Sequence, residues 1–173
     1  MTRYLADATP LARIAADVSE RSRVGIALLA ADFALGQLES SHNFPYGRAG
    51  LALARRWYDG ETIDPCLMEE ALHSEEDEGI DLCEQEAKSE RERAAWHALA
   101  TALAYIAFHA YKAIGRLPGS LICEVNEHEL DELSDQLVAL SPNVMKRLAE
   151  AADLLRSNPS MSYGQLRSMI LLS

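Results

Sequence analysis

The longest amphipathic pattern in the chain lies between residues 90 and 114. Apolar side chains recur there at steps of three and four, namely Trp96, Leu99, Leu103, Ile106, Ala110 and Ala113. Such steps place one apolar stripe along a helix, and Gly115 is well placed to end it. We therefore predict a long central helix over about residues 90–114, with its aromatic side chains in the core. His97 and His109 on this helix are more typical of buried or boundary histidines than of catalysts.

The same periodicity recurs in shorter segments on both sides. It predicts helices over about residues 10–18, 21–38, 45–58 and 64–72, and then over about 126–140, 142–157 and 162–170. Asp64-Pro65 is typical of a helix start, and Asn126 with Glu129 fits a capping box. No segment alternates polar and apolar positions as a half-buried strand would. We therefore predict an all-α fold, a single-domain bundle of seven to eight helices formed by residues 1–173.

Composition agrees with a folded helical protein. Of the 173 residues, 49% are hydrophobic and 25% are charged. The three cysteines, Cys66, Cys83 and Cys123, are widely spaced, which argues against a disulfide framework or a zinc site and favours a reducing compartment. The N-terminal residues lack the apolar core of a signal peptide, and polar side chains interrupt the apolar segment 94–114. We expect a cytoplasmic protein without a membrane span.

The chain is acidic, with a formal net charge of −11 and a pI near 4.8. Proteins that bind nucleic acid or anionic membranes need a basic face, so we expect neither as a partner. The negative charge is concentrated in residues 73–93, where nine carboxylates and three basic side chains give a net charge of −6. The part from 75 to 86 contains no basic residue. Such a segment is either a solvated face or a surface for a basic partner.

The first candidate metal ligands are Glu70 and His73, whose spacing is that of one half of a di-iron helical motif. Glu124 and His128 are four residues apart rather than three, so the motif has no second copy. The acidic segment lacks the register of a calcium-binding loop, and no phosphate-binding loop or nucleophile elbow is present. The sequence thus predicts no catalytic residue, no metal ligand and no cofactor. Two alternatives stay open: a small helical metal-binding protein or metalloenzyme, and a helical scaffold or dimerisation protein.

Three consecutive segments resemble the all-helical sixth immunity family of bacterial polymorphic toxin systems. They are EEDEGIDLCEQE, then ERERAAWHALATALAYIAFHAYKAIG, then LPGSLICEVNEHELDEL. In that family an acidic segment with a glycine precedes a helix with an early tryptophan and a late Ala-Tyr. A Leu-Pro loop and an acidic helix follow. The matching positions, within residues 66–135, are Asp77, Glu78, Gly79, Trp96, Tyr105, Ala110, Tyr111, Leu117, Pro118, Glu124 and Val125. The chain departs from the pattern at Gly119-Ser120, and a related helical family of unknown function shares the same layout.

The resemblance implies a non-enzymatic protein that binds and neutralises one cognate toxin domain. We expect the toxin to present a basic active-site or substrate surface, which an acidic face can occlude. The predicted partner-binding residues are Glu75, Glu76, Asp77, Glu78, Asp81, Glu84, Glu86, Glu124, Glu127 and Glu129. We expect the protein itself to be a monomer or a homodimer.

Overall fold

The computed structural model describes residues 11–73, 79–119, 122–126 and 128–171. All regular secondary structure within these ranges is helical, which confirms the all-α prediction. The helices are α1 (Leu11–Ile14), α2 (Glu20–Gly36), α3 (Phe44–Tyr58), α4 (Pro65–Leu72), α5 (Ile80–Gln85), α6 (Glu90–Ala113), α7 (Glu129–Leu140), α8 (Val144–Ser157) and α9 (Tyr163–Ile170). The described residues therefore form nine helices, one more than the upper prediction. The additional helix is α5, which lies inside the acidic segment.

The predicted central helix is α6, and its bounds agree with the apolar pattern. Ser89 caps its start by accepting a hydrogen bond from the backbone N–H of Glu92, and Gly115 follows its end with a φ of +66°. The aromatic side chains of Trp96, Tyr105 and Tyr111 are buried, as predicted, whereas Phe108 is only half-buried and packs against the core. Five helices pack against α6, namely α2, α3, α4, α5 and α7. This helix therefore lies at the centre of the core.

Helix α2 differs from the expectation of a single apolar face. Its residues from Val24 to Ala31 are all buried, and so are Ser22 and Asp32 on the same helix. The reason is its position, because α2 is packed against α3, α6, α7, α8 and α9 at once. A helix that is covered on several sides is buried all round and loses the amphipathic signature of a surface helix.

Two glycines let α3 approach its neighbours closely. A Cβ atom at Gly47 would lie 2.8 Å from Leu99 Cδ2 and 2.9 Å from Leu35 Cδ1. A Cβ atom at Gly50 would lie 3.1 Å from Ile80 Cδ1. The glycines of the YGRAG segment, which are too few for a phosphate-binding loop, therefore serve helix packing.

The predicted helix caps are partly confirmed. The side chain of Asp64 accepts from the backbone N–H of Cys66 at the start of α4, and Ser162 with Gln165 forms a capping box on α9. The predicted capping box of Asn126 with Glu129 is wrong, because α7 begins at Glu129 itself. A capping box needs its glutamate at the third helical position. Asn126 instead accepts a hydrogen bond from the backbone N–H of His128, at 2.9 Å.

None of the described helices combines the length and the apolar run needed to cross a bilayer.

Candidate partner-binding surface

Two acidic segments that are distant along the chain meet at His97 of α6. His97 Nδ1 lies 2.8 Å from Glu84 Oε1 of α5, and its Nε2 lies 3.0 Å from Glu132 Oε1 of α7. We call these three residues the histidine bridge. Both α5 and α7 pack against α6, so the bridge holds their acidic sides together across the central helix.

The electrostatics of the histidine bridge favour a protonated imidazole. Partial burial by itself would lower the pKa of His97, but the hydrogen bonds to Glu132 and Glu84 outweigh it and raise the pKa above its ordinary value. In the protonated form both ring nitrogens are donors, so both carboxylates receive a hydrogen bond. Burial and the nearby charge of Glu132 raise the pKa of Glu129, whereas His97 lowers it. Glu129 therefore belongs to the same electrostatic cluster.

Asp81 on α5 and Glu86 directly after it fix this short helix to its surroundings. Asp81 Oδ2 lies 3.1 Å from Nδ1 of His73, just beyond the end of α4. Just after α5, Glu86 Oε2 accepts a hydrogen bond of 2.8 Å from Nδ2 of Asn43. These contacts with α4 and with the start of α3 hold α5 at both ends.

The structure describes half of the ten predicted partner-binding residues. Asp81 and Glu84 lie on α5 and Glu86 directly follows it, while Glu129 opens α7 and exposed Glu124 lies in the turn before α7. Glu84 belongs to the histidine bridge, and Glu129 interacts electrostatically with His97. Asp81 and Glu86 contact His73 and Asn43 instead. The predictions at Glu75, Glu76, Asp77, Glu78 and Glu127 lie outside the described residues.

Sequence reasoning missed Glu132 and the bridging position of His97. The signal for Glu132 was its spacing of three from Glu129, which places both in the first turn of α7. No comparable signal exists for His97, because its partners come from two other helices. His97 is nevertheless the boundary histidine that the sequence predicted.

The alternative metal site has little support in the described part of the chain. His73 is engaged by Asp81, and the side chain of His128 is 92% exposed with its Nδ1 4.0 Å from Asp131. No group of three histidine, cysteine or acidic residues among the described ones could hold a metal ion. Glu70, His73, Glu124 and His128 thus do not assemble into a coordination site there.

Cys83 and His109 occupy structural positions. Burial raises the pKa of the Cys83 thiol to about 11, so this thiol is protonated at neutral pH and is a poor nucleophile. His109 is 1% exposed and lies 3.2 Å from Oε1 of Glu20 through its Nδ1. The ring packs against Tyr105 at a centroid distance of 4.5 Å. His109 is therefore a core histidine, as the sequence predicted.

The loop after α6 is held against α4 and presents an apolar side chain. Tyr111 donates a hydrogen bond of 2.5 Å to Glu69 Oε2, and the guanidinium of Arg116 lies 5.8 Å from the Tyr111 ring centroid. Arg116 also pairs with Asp64 at 3.3 Å. The side chain of Leu117 in this loop is 93% exposed. Single exposed apolar side chains are common on protein surfaces, and Leu117 is accessible to a partner at this position.

A family model described as immunity protein Imm6 matches residues 22–140 of the chain. The chain belongs to the Imm6 immunity protein family. The match extends from α2 through α7 and so includes every residue of the histidine bridge. It also contains the segment 66–135 on which the resemblance rested, and that resemblance is confirmed. No curated protein and no solved structure was found to match the chain.

Membership in the Imm6 family has two general consequences. It implies a toxin protein as the partner, because an immunity protein neutralises a toxin. It also points to a non-catalytic inhibitor rather than an enzyme.

Proposed function

We propose that this Imm6 protein neutralises one cognate bacterial toxin domain by covering a basic active-site or substrate surface of the toxin. The covering face is the acidic surface, which we define by Asp81, Glu84, Glu86, Glu124, Glu129 and Glu132 of the described residues. The predicted carboxylates at 75–78 and Glu127 extend it. The observation that supports this face most directly is the histidine bridge, in which Glu84 of α5 and Glu132 of α7 bind the two nitrogens of one imidazole ring.

The charge of the acidic surface affects the association rate and the choice of partner. Carboxylates of one sign on a shared face accelerate encounter with a basic protein and disfavour acidic ones. Exposed charges contribute little affinity by themselves, since water and salt screen them. Affinity then depends on apolar anchors, and exposed Leu117 and Ile114 near α4 are the candidates.

We further propose that residues 1–173 act as one immunity-type domain in the cytoplasm, as a monomer or homodimer and without a cofactor. Light scattering on the purified chain, alone and mixed with toxin, measures the oligomeric state and the stoichiometry.

Co-expression tests the function itself. A toxin domain encoded next to this chain should arrest growth when expressed alone, and this chain should restore growth when both are expressed. Continued arrest with soluble chain present would refute neutralisation of that toxin.

Binding kinetics test the acidic surface separately. The triple variant Glu86→Gln, Glu124→Gln, Glu129→Gln should lower the association rate with the toxin by roughly tenfold at low ionic strength, because steering charges act over about a Debye length. The loss should shrink as salt is added. Surface plasmon resonance at several salt concentrations provides the measurement.

A matched control makes the same change in net charge outside the acidic surface. Asp17→Asn, Glu61→Gln and Glu150→Gln likewise remove three carboxylates, all of them exposed. They should leave the association rate within about twofold of the original protein, since steering depends on local charge. If both triple variants slow association equally, net charge alone is responsible, and the acidic surface is assigned wrongly even where growth rescue succeeds.

A further inference from the structure

A cavity of about 380 Å³ opens between α2, α3, α8 and α9. Its lining includes four arginines, Arg48 and Arg55 from α3, Arg147 from α8 and Arg167 from α9. The whole chain has only 16 lysines and arginines against 27 acidic residues, so this cavity gathers a quarter of the basic side chains. We call these four residues and the space between them the arginine cleft.

A buried carboxylate organises the inner part of the arginine cleft. Asp32 of α2 is 8% exposed and accepts a contact of 2.7 Å from Arg55 Nη2 and one of 2.5 Å from Arg167 Nε. Tyr163 also donates its hydroxyl to Asp32 at 2.6 Å. One carboxylate can neutralise only one of the two guanidinium groups. Asp32 therefore orients both arginines and leaves an excess of positive charge.

The outer part of the arginine cleft contains two cations, Arg48 and Arg147, and one anion. Arg48 and Arg147 are exposed, and neither forms an ion pair with another described residue. Arg147 Nη1 donates to the backbone carbonyl of Ile170 at 3.3 Å, and the side chain of Arg147 forms no other hydrogen bond with a described residue. The other acidic side chain in the lining is the exposed Glu39. The formal charge of the lining is thus positive inside a strongly acidic protein.

We propose that the arginine cleft binds an oxyanion, a carboxylate or phosphate group. Each guanidinium offers five N–H donors in a planar fork that matches the geometry of these two groups. Asp32 already holds Arg55 and Arg167 in place. These two side chains therefore lose less conformational entropy when an anion binds than free side chains would. The arginine cleft contains no residue of the acidic surface.

Two sources can supply such a group: a small phosphorylated molecule, or an acidic side chain of a bound protein. Gln37, in the lining of the cleft, accepts a hydrogen bond of 2.8 Å from Arg91 of α6. Phe44 of the lining directly follows Asn43, which binds Glu86. The cleft therefore borders the α5 end of the acidic surface, and a protein that covers that surface could also reach the cleft.

Ligand titration of the purified chain tests the proposal. Inorganic phosphate and succinate are added at constant ionic strength, and binding is followed by calorimetry and by the melting temperature. Both anions also stabilise proteins without a site, so a saturable response is the required signal. We expect a saturable binding heat and a saturable rise in the melting temperature with at least one of the two anions.

Variants locate the site. Arg48→Gln with Arg147→Gln should weaken the saturable binding by about tenfold or more, since two charge-assisted donors are lost. Lys146→Gln is the matched control, because it removes one exposed charge from the position next to Arg147 on α8 and should leave binding unchanged. Both variants keep Asp32 and its partners intact.

The outcomes separate the two sources. Tighter binding of phosphate indicates a phosphorylated small molecule, whereas tighter binding of succinate indicates an acidic side chain of a protein. Absence of saturation with both anions, or equal binding by the double arginine variant and the original protein, overturns the proposal. Growth rescue by co-expression does not depend on either result.

Discussion

His97 shows how one residue can join regions that the chain keeps apart. Its ring lies between Glu84 and Glu132, and its raised pKa follows from these two carboxylates acting against partial burial. A histidine whose pKa is higher in the folded state stabilises the fold while it is protonated there. This stabilisation is complete below the pKa of the unfolded chain and disappears as the pH rises through the folded pKa.

The first prediction therefore concerns pH. His97→Gln should reduce the free energy of unfolding by about 0.5–1 kcal/mol near pH 6, a small value because the side chains are partly exposed. The reduction should become smaller by pH 9, where the original histidine is neutral. Urea unfolding at the two pH values provides the measurement, with the exposed His42→Gln as control. A loss that does not change between the two pH values would contradict the protonated bridge.

At the scale of helices, the close packing of α3 against α2 and α6 depends on a glycine, which has no side chain. Gly47 lies where α3 meets α2 and α6, and a Cβ atom there would be 2.8 Å from Leu99 and 3.0 Å from Trp96. Both neighbours are fully buried. They cannot move aside without disturbing the core, because protein interiors are densely packed.

Gly47→Ala is the second prediction. Overpacking should lower the free energy of unfolding by about 1–3 kcal/mol, in spite of the better helix propensity of alanine. Gly164→Ala on α9 is the control, because a Cβ atom there meets nothing within 4 Å. It should leave stability unchanged or raise it by up to about 1 kcal/mol. Thermal and urea unfolding measure both variants, and equal stability of the two would contradict the packing argument.

The whole molecule combines a rigid helical core with three surface features: the acidic surface, the loop that carries Leu117, and the arginine cleft. The loop is tied to α4 by Tyr111 and Arg116, while Leu117 itself points to solvent. A side chain with this exposure contributes little to folding. Its contribution to toxin binding can therefore be measured without loss of the fold.

The third prediction concerns Leu117→Ala. Stability should change by less than about 0.5 kcal/mol, whereas toxin affinity should fall by about tenfold, mainly through faster dissociation. Met169→Ala on α9 removes another exposed apolar side chain and should leave affinity unchanged. Isothermal titration and dissociation kinetics distinguish the two variants. Unchanged affinity of Leu117→Ala would remove the loop from the interface.

Periodicity along the chain was enough to predict the helices and most of their ends. Apolar steps of three and four located α6 and its buried aromatics, and local cap chemistry located the starts of α4 and α9. These signals are local, since they depend on residues within one turn of each other. The segment resemblance supplied the family, which the match over residues 22–140 confirmed.

The arrangement of the helices in space depended on information that no local pattern contains. Periodicity describes each helix relative to its own axis, so it could not indicate that α2 is enclosed on several sides or that α5 forms at all. The histidine bridge and the arginine cleft each combine side chains from three or more helices. Charges from distant segments become neighbours only when the core brings their helices together. For this protein the chain pattern therefore specifies the elements and the excess charge, and packing specifies which charges share a surface.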